Sequence, residues 1–189
     1  MEKIQSYFRR IIFTEKSAPL AFLVACILGF GLLIPSLGFY MDDWPYVFYA
    51  YNKGIGSLRE MLLYDSRPIA AWLYILGFRV LGFSPLAWHL LTFILILGTV
   101  ITYWIFLRHI WVEQKQNSIY IALLFTVYPF FTLQSSPIGY THLWFGFITF
   151  NLSLILMFIS INKPPPIRWL LVVLALSLEA AHLFTSEYF

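Results

Sequence analysis

The sequence contains few charged residues, and this scarcity excludes most soluble folds. Only 11% of the 189 residues are Asp, Glu, Lys or Arg, whereas 60% are hydrophobic. A soluble globular domain carries about 25% charged residues. The composition therefore predicts an all-α, polytopic integral membrane protein.

Cysteine is almost absent as well. The single Cys26 lies within the first apolar stretch and cannot form an internal disulfide, so it does not indicate a redox compartment. The net charge of +3 comes from lysines and arginines that flank apolar stretches. This weak excess gives no reason to expect a nucleic-acid partner, and membrane lipids are the expected surroundings.

The chain contains several long apolar runs. A spanning helix needs about 20 such residues. We expect five spanning helices, and their ranges are 19–39, 86–107, 118–133, 142–161 and 169–186. Residues 1–18 would form a cytoplasmic tail ahead of a retained signal-anchor helix, and residues 19–189 would form one membrane domain.

The stretch 68–83 is ambiguous because it has only 16 residues and contains Arg79. Cytoplasmic loops carry an excess of lysine and arginine, so the basic residues can decide whether it crosses. If it does not cross, eight basic residues lie on the N-terminal side: Lys3, Arg9, Arg10, Lys16, Arg108, Lys115, Lys163 and Arg168. If it crosses, only the first four of these remain there. We therefore predict a cytoplasmic N-terminus and an amphipathic or re-entrant helix at the outer surface, within an external segment 40–85.

Two adjacent acids, Asp42 and Asp43, follow the first apolar stretch directly. Neighbouring carboxylates repel each other unless they share a cation, a metal or a proton. Ionisable groups at the edge of a membrane are candidates for a functional site. The alternative is structural, because an aspartate just before Trp44 and Pro45 can cap the next helix.

The external segment 40–85 concentrates polar chemistry. It holds four of the nine acidic residues and many aromatic side chains. Aromatic faces such as that of Trp44 can stack on sugars, and Arg67 can bind a phosphate. A carboxylate can act as a general base or as a ligand of a hard divalent cation. Arg67 could instead be an interfacial anchor whose head reaches the lipid headgroups.

The order of these features resembles a known family. An acidic pair follows the first helix. Next come the step Asp65-Ser66-Arg67-Pro68-Ile69-Ala70-Ala71-Trp72-Leu73 and the turn Leu81-Gly82-Phe83-Ser84-Pro85. This layout is similar to the N-terminal part of the GT-C glycosyltransferases, which include protein O-mannosyltransferases and the aminoarabinose transferases of lipid A. The resemblance implies a polyprenyl-phosphate-linked sugar donor and the inner membrane of a bacterium.

The resemblance also implies roles for individual residues. Asp42 or Asp43 would match the catalytic acid that deprotonates or orients the acceptor hydroxyl, with a divalent cation as a further expectation. Arg67 would face the lipid phosphate. The second external loop departs from the family because it lacks an Arg and an Asp, and His142 is the candidate replacement. Glu187 could approach the acidic pair from the end of the last helix.

The chain stops directly after an apolar helix, so we expect an N-terminal fragment that is inactive by itself. Two other classes of function remain open. A transporter segment predicts charged residues deep within broken helices. A non-catalytic scaffold predicts that substitutions of Asp42 and Asp43 are tolerated.

Overall fold

The computed structural model describes residues 13–128 and 136–185, and within these ranges the secondary structure is helical. The α-helices are α1 (Ala18–Gly29), α2 (Asp43–Lys53), α3 (Leu58–Tyr64), α4 (Pro68–Leu81), α5 (Pro85–Ile110), α6 (Lys115–Thr126), α7 (Pro137–Ile161) and α8 (Pro165–Leu183). Short 3₁₀ turns follow α1 at Gly31–Ser36 and α2 at Ile55–Ser57. The predicted all-α, polytopic membrane fold is confirmed.

Four helical segments in the described part of the chain are long and apolar enough to cross a membrane. They are Ala18–Ser36, which joins α1 to its 3₁₀ turn, and helices α5, α7 and α8. The predicted stretch 118–133 corresponds to α6, which has 12 residues and is shorter than these segments. Residues 129–135 lie outside the described ranges, so a fifth crossing there stays a prediction.

Contacts between helix ends show that the long segments alternate in direction. At one end, here called the Glu15 end, Glu15 forms ion pairs with Arg108 at 2.8 Å and Lys115 at 3.2 Å. At the other, the Asp43 end, His89 near the start of α5 contacts the Gly38 carbonyl at 2.9 Å. The N-terminus of α7 also lies at the Asp43 end, since Asp43 binds it. The segment between α1 and α5 therefore begins and ends on one side.

Helix α4 occupies the stretch whose crossing was ambiguous. It has 14 residues, or about 21 Å at 1.5 Å per residue, which is less than the apolar core of a bilayer. Tyr74 and Phe78 are buried on one side, while Trp72 and Leu76 are exposed on the other. The Ile69 amide bonds the Phe184 carbonyl at 3.3 Å, which brings the end of α8 to the start of α4.

Helices α5 and α7 are joined by hydroxyl and amide groups rather than by charge. Thr92 Oγ1 donates to the Pro137 carbonyl at 2.9 Å, and Thr99 Oγ1 reaches the Trp144 carbonyl at 3.2 Å. Further along, Asn151 contacts Thr102 Oγ1 at 3.2 Å. Small polar residues of this kind let apolar helices approach closely in a membrane. They fix α7, and with it one wall of the candidate site.

Candidate functional site

Asp43, the first residue of α2, binds the N-terminus of α7. Its Oδ1 accepts hydrogen bonds from the backbone amides of Ile138 and Gly139, both at 2.8 Å. Its Oδ2 accepts from the Tyr40 amide at 3.0 Å. Helix N-termini leave amides without intrahelical partners, and a carboxylate favours that end of the helix dipole. Asp43 therefore caps a helix more than ninety residues away, rather than its own helix.

The burial of Asp43 is complete, and this affects its ionisation. Burial raises the pKa of the Asp43 carboxyl above its ordinary value of 3.8, since water no longer solvates the charge. The three amides act in the opposite direction because they stabilise the ionised form. With both oxygens bound to backbone amides, Asp43 acts as a structural carboxylate in this arrangement.

Asp42 differs from its neighbour because it is exposed. Its Oδ2 accepts a hydrogen bond from the Tyr140 hydroxyl at 2.9 Å. A Cβ atom placed on Gly139 would lie 3.0 Å from the Asp42 Cβ, so glycine permits this close approach. Asp43 is thus buried against the start of α7, whereas Asp42 faces open space.

The open space beside Asp42 is a cavity of about 550 Å³ at the Asp43 end. Its polar lining residues are Asp42, Tyr46, Asp65, Arg67, Tyr140 and His142. The segment 40–85 supplies the first four residues, and α7 supplies Tyr140 and His142. Three candidates from the sequence, Asp42, Arg67 and His142, are therefore brought together.

The turn before α4 places Arg67. The Ser66 amide bonds the Leu63 carbonyl at 3.1 Å and the Arg67 amide bonds the Leu62 carbonyl at 2.8 Å, as in a Schellman motif. Ser66 takes a left-handed φ of 59° at the position where glycine is usual. Arg67 then reaches the Tyr46 hydroxyl through Nη1 at 3.3 Å.

His142 is held from behind by Tyr74 of α4. The His142 Nδ1 and the Tyr74 hydroxyl are 2.8 Å apart, and the same hydroxyl lies 2.8 Å from the Ile138 carbonyl. Tyr74 is fully buried and stacks on Tyr46 with ring centroids 4.7 Å apart. Burial raises the pKa of Tyr74 well above its ordinary value, so the phenol keeps its proton.

Two other candidates from the sequence, Trp44 and Glu187, are not among the described residues that line this cavity, for different reasons. Trp44 is exposed and makes an edge contact with Phe39, with ring centroids 6.2 Å apart. Glu187 lies outside the described residues, so its predicted approach to the acidic pair stays a prediction.

The positions of the potential ligand side chains bear on the predicted divalent-cation site. In residues 13–128 and 136–185, no group of three or more His, Cys, Asp or Glu side chains is placed to hold a metal ion. Asp43 gives its oxygens to amides while Asp42 faces Tyr140. The two carboxylates are bound by different partners, so the described residues do not fit a metal centre, and no chemical step is assigned to one.

Tyr140 was missed in the sequence because a loop was expected at 134–141. Helix α7 begins at Pro137, five residues before the predicted start, and this places Tyr140 in its first turns. The signal was present, since proline after serine is typical of the first position of a helix. Tyr74 and Tyr46 were visible only as members of an aromatic cluster.

Comparisons with known proteins were made by family, by sequence and by fold. No family model, curated protein or solved structure matches this chain. The resemblance to GT-C enzymes therefore depends on the residues of the chain itself.

Proposed function

We propose that this chain is a membrane glycosyltransferase, or the N-terminal portion of one, that uses a polyprenyl-phosphate-linked sugar at the outer face of the membrane. One observation carries the proposal: Asp42 and Arg67 line the same cavity at one end of the helical bundle. A carboxylate and a guanidinium in one cavity provide a general base and an anion-binding group.

The roles follow from the geometry around each group. Tyr140 donates to Oδ2 of Asp42, and in the described part of the chain no hydrogen bond occupies Oδ1, which would receive the proton of an acceptor hydroxyl. As that proton moves to Asp42, the acceptor oxygen forms a bond to the anomeric carbon of the sugar. The bond from that carbon to the phosphate oxygen breaks, and the polyprenyl phosphate leaves with the electron pair. Arg67 would bind the negative charge of the phosphate.

Asp43 has a different part in this proposal. Its carboxylate holds the start of α7 and so positions Tyr140 and His142 against Asp42. We therefore assign the base to Asp42 alone and treat Asp43 as a positioning residue. The placement of the cavity at one end of the bundle supports surface chemistry rather than transport through its middle.

Sugar transfer in membranes with the full-length protein that contains this chain tests the assignment, with a radiolabelled polyprenyl-phosphate sugar as donor. Asp42→Asn should lower the transfer rate by about 100-fold or more, since a general base contributes 10²–10⁴-fold. Glu60→Gln is the matched control, because Glu60 is an exposed acid of the same segment that does not line the cavity. Equal transfer by the Asp42→Asn variant and the wild type would remove Asp42 from the chemistry and favour the scaffold alternative.

A further inference from the structure

The pair formed by His142 and Tyr74 has a consequence for the cavity beyond holding α7 in place. Both side chains are buried, with 5% of His142 and none of Tyr74 exposed. The Tyr74 hydroxyl lies between two groups, the Ile138 carbonyl and the His142 Nδ1, each at 2.8 Å. A phenol has one proton to donate, so only one of these contacts can use it.

The carbonyl decides which contact uses the phenol proton. The Ile138 oxygen can only accept, so the short contact to it requires the Tyr74 proton. The Tyr74 oxygen must then accept a proton from His142 Nδ1. In the neutral imidazole, a proton on Nδ1 leaves Nε2 with a lone pair and no hydrogen. The hydrogen-bond network thus assigns the Nδ1–H tautomer to His142.

The position of the His142 ring at the cavity gives this tautomer a functional consequence. His142 lines the cavity together with Asp42 and Arg67. Its Nδ1 is directed to Tyr74, and Tyr74 cannot turn away because it stacks on Tyr46 within the buried cluster. The backbone carbonyl of Gly139, in the same helix, also interacts with the His142 ring. Among the described residues, the side chain hydrogen-bonded to this ring is that of Tyr74, through Nδ1. A fixed acceptor therefore lies beside a carboxylate and a guanidinium.

We propose that His142 is a specificity-determining residue that recognises a hydroxyl group of the ligand through Nε2. A ligand with a sugar hydroxyl next to a phosphate would then bind His142 with the hydroxyl and Arg67 with the phosphate. The identity of this ligand as a glycosyl phosphate rests on the proposed function. The tautomer and the hydroxyl preference depend only on the cavity.

Nitrogen NMR of the full chain in lipid nanodiscs tests the tautomer directly. With ¹⁵N-labelled histidine rings and His142→Gln to assign the signal, wild-type His142 should show a protonated Nδ1 and an unprotonated Nε2. In Tyr74→Phe, which keeps the ring but loses the acceptor, the tautomers should become mixed. A proton on Nε2 of His142 in the wild type would overturn the inference.

Titration of the same sample tests ligand recognition, with octyl glucoside below its micelle concentration and octyl phosphate as probes. The His142 Nε2 signal should shift with the glucoside and stay in place with the phosphate. Affinity for the glucoside should fall about tenfold in His142→Phe, the equivalent of one lost hydrogen bond. It should stay unchanged in Glu60→Gln, because Glu60 is exposed and does not line the cavity. If the Nε2 signal does not shift when the glucoside is added, His142 does not recognise a ligand hydroxyl.

These readouts separate the inference from the proposed function. If sugar transfer is absent while the glucoside shifts Nε2, the proposed enzyme fails and the hydroxyl site stands. If transfer occurs and depends on Asp42 while Nε2 is unaffected by the glucoside, the enzyme stands and the role of His142 fails.

Discussion

At the scale of single residues, the two neighbouring acids have opposite environments. Asp43 is buried and accepts three backbone hydrogen bonds, while Asp42 is exposed and accepts one from Tyr140. Substitution should therefore affect the two positions in different ways. A carboxylate that stabilises a helix end matters for folding, and a carboxylate at a cavity matters for what enters it.

Asp43→Ala should lower the free energy of unfolding by about 2–3 kcal/mol, because it removes a cap and leaves buried amides without an acceptor. Asp42→Ala should cost less than about 0.5 kcal/mol, as expected for an exposed position. Denaturation of both variants in the same detergent measures the difference. Equal losses would show that the amides of Ile138 and Gly139 find other acceptors.

Ser66 provides a second test at this scale. Its left-handed φ of 59° strains a serine and suits a glycine. Ser66→Gly should raise the free energy of unfolding by about 0.5–1 kcal/mol and keep Arg67 in place. Ser66→Ala is the control, because it removes the hydroxyl but keeps the strain. Stabilisation by alanine as well would assign the effect to the hydroxyl and not to the backbone.

At the scale of elements, α4 depends on its close contact with α5. Gly77 of α4 faces the buried indole of Trp88, and a Cβ atom at this position would overlap the Trp88 ring. The indole has little room to move, since Trp88 Nε1 also donates to the Gly82 carbonyl at 3.0 Å. Gly77 thus permits the close approach of α4, which carries Tyr74, to α5.

Gly77→Ala should lower the free energy of unfolding by about 1–3 kcal/mol, the usual cost of overpacking. Gly29→Ala in α1 is a matched control, because no atom lies within 4 Å of a Cβ placed there. That variant should be neutral or slightly more stable, since alanine favours the helix. Thermal unfolding of the two proteins side by side would reveal the contrast, and a tolerated Gly77→Ala would mean that α4 and α5 can separate.

At the scale of the whole molecule, the basic residues and the helix directions agree with each other. Arg108 and Lys115 meet at the Glu15 end, away from Arg67 and the cavity. The excess of basic residues at the Glu15 end predicts that this end faces the cytoplasm. The cavity would then open on the outer side.

Labelling with a membrane-impermeant thiol reagent in intact cells tests this orientation. In a Cys26→Ala background, Asn52→Cys should react from outside and Gln114→Cys should not, although both positions are exposed. Permeabilised cells serve as the control, since both cysteines should then react. The reverse pattern would place the cavity in the cytoplasm and exclude a donor on the outer face.

Composition was sufficient to predict the membrane class. The charge pattern also predicts a surface position for 68–83, and this stays a prediction. The sequence also singled out Asp42, Arg67 and His142, which share the cavity. It could not separate the roles of Asp42 and Asp43, because the difference arises from contacts 95 and 96 residues away. Hydropathy likewise placed the start of α7 too late, since its first turn at Pro137 is less apolar than the residues that follow.

Because the Asp43 cap joins residues that are far apart in the sequence, the cavity can form only after α7 has been synthesised. Asp43 is made early, but two of its three hydrogen-bond donors belong to a helix synthesised more than ninety residues later. Until that helix is made, the Asp43 carboxylate lacks the amides of Ile138 and Gly139. Tyr140 and His142 can line the cavity only after α7 has inserted into the membrane. A chain whose synthesis stops before Pro137 would therefore contain Asp42 and Asp43 but lack the α7 wall of the cavity.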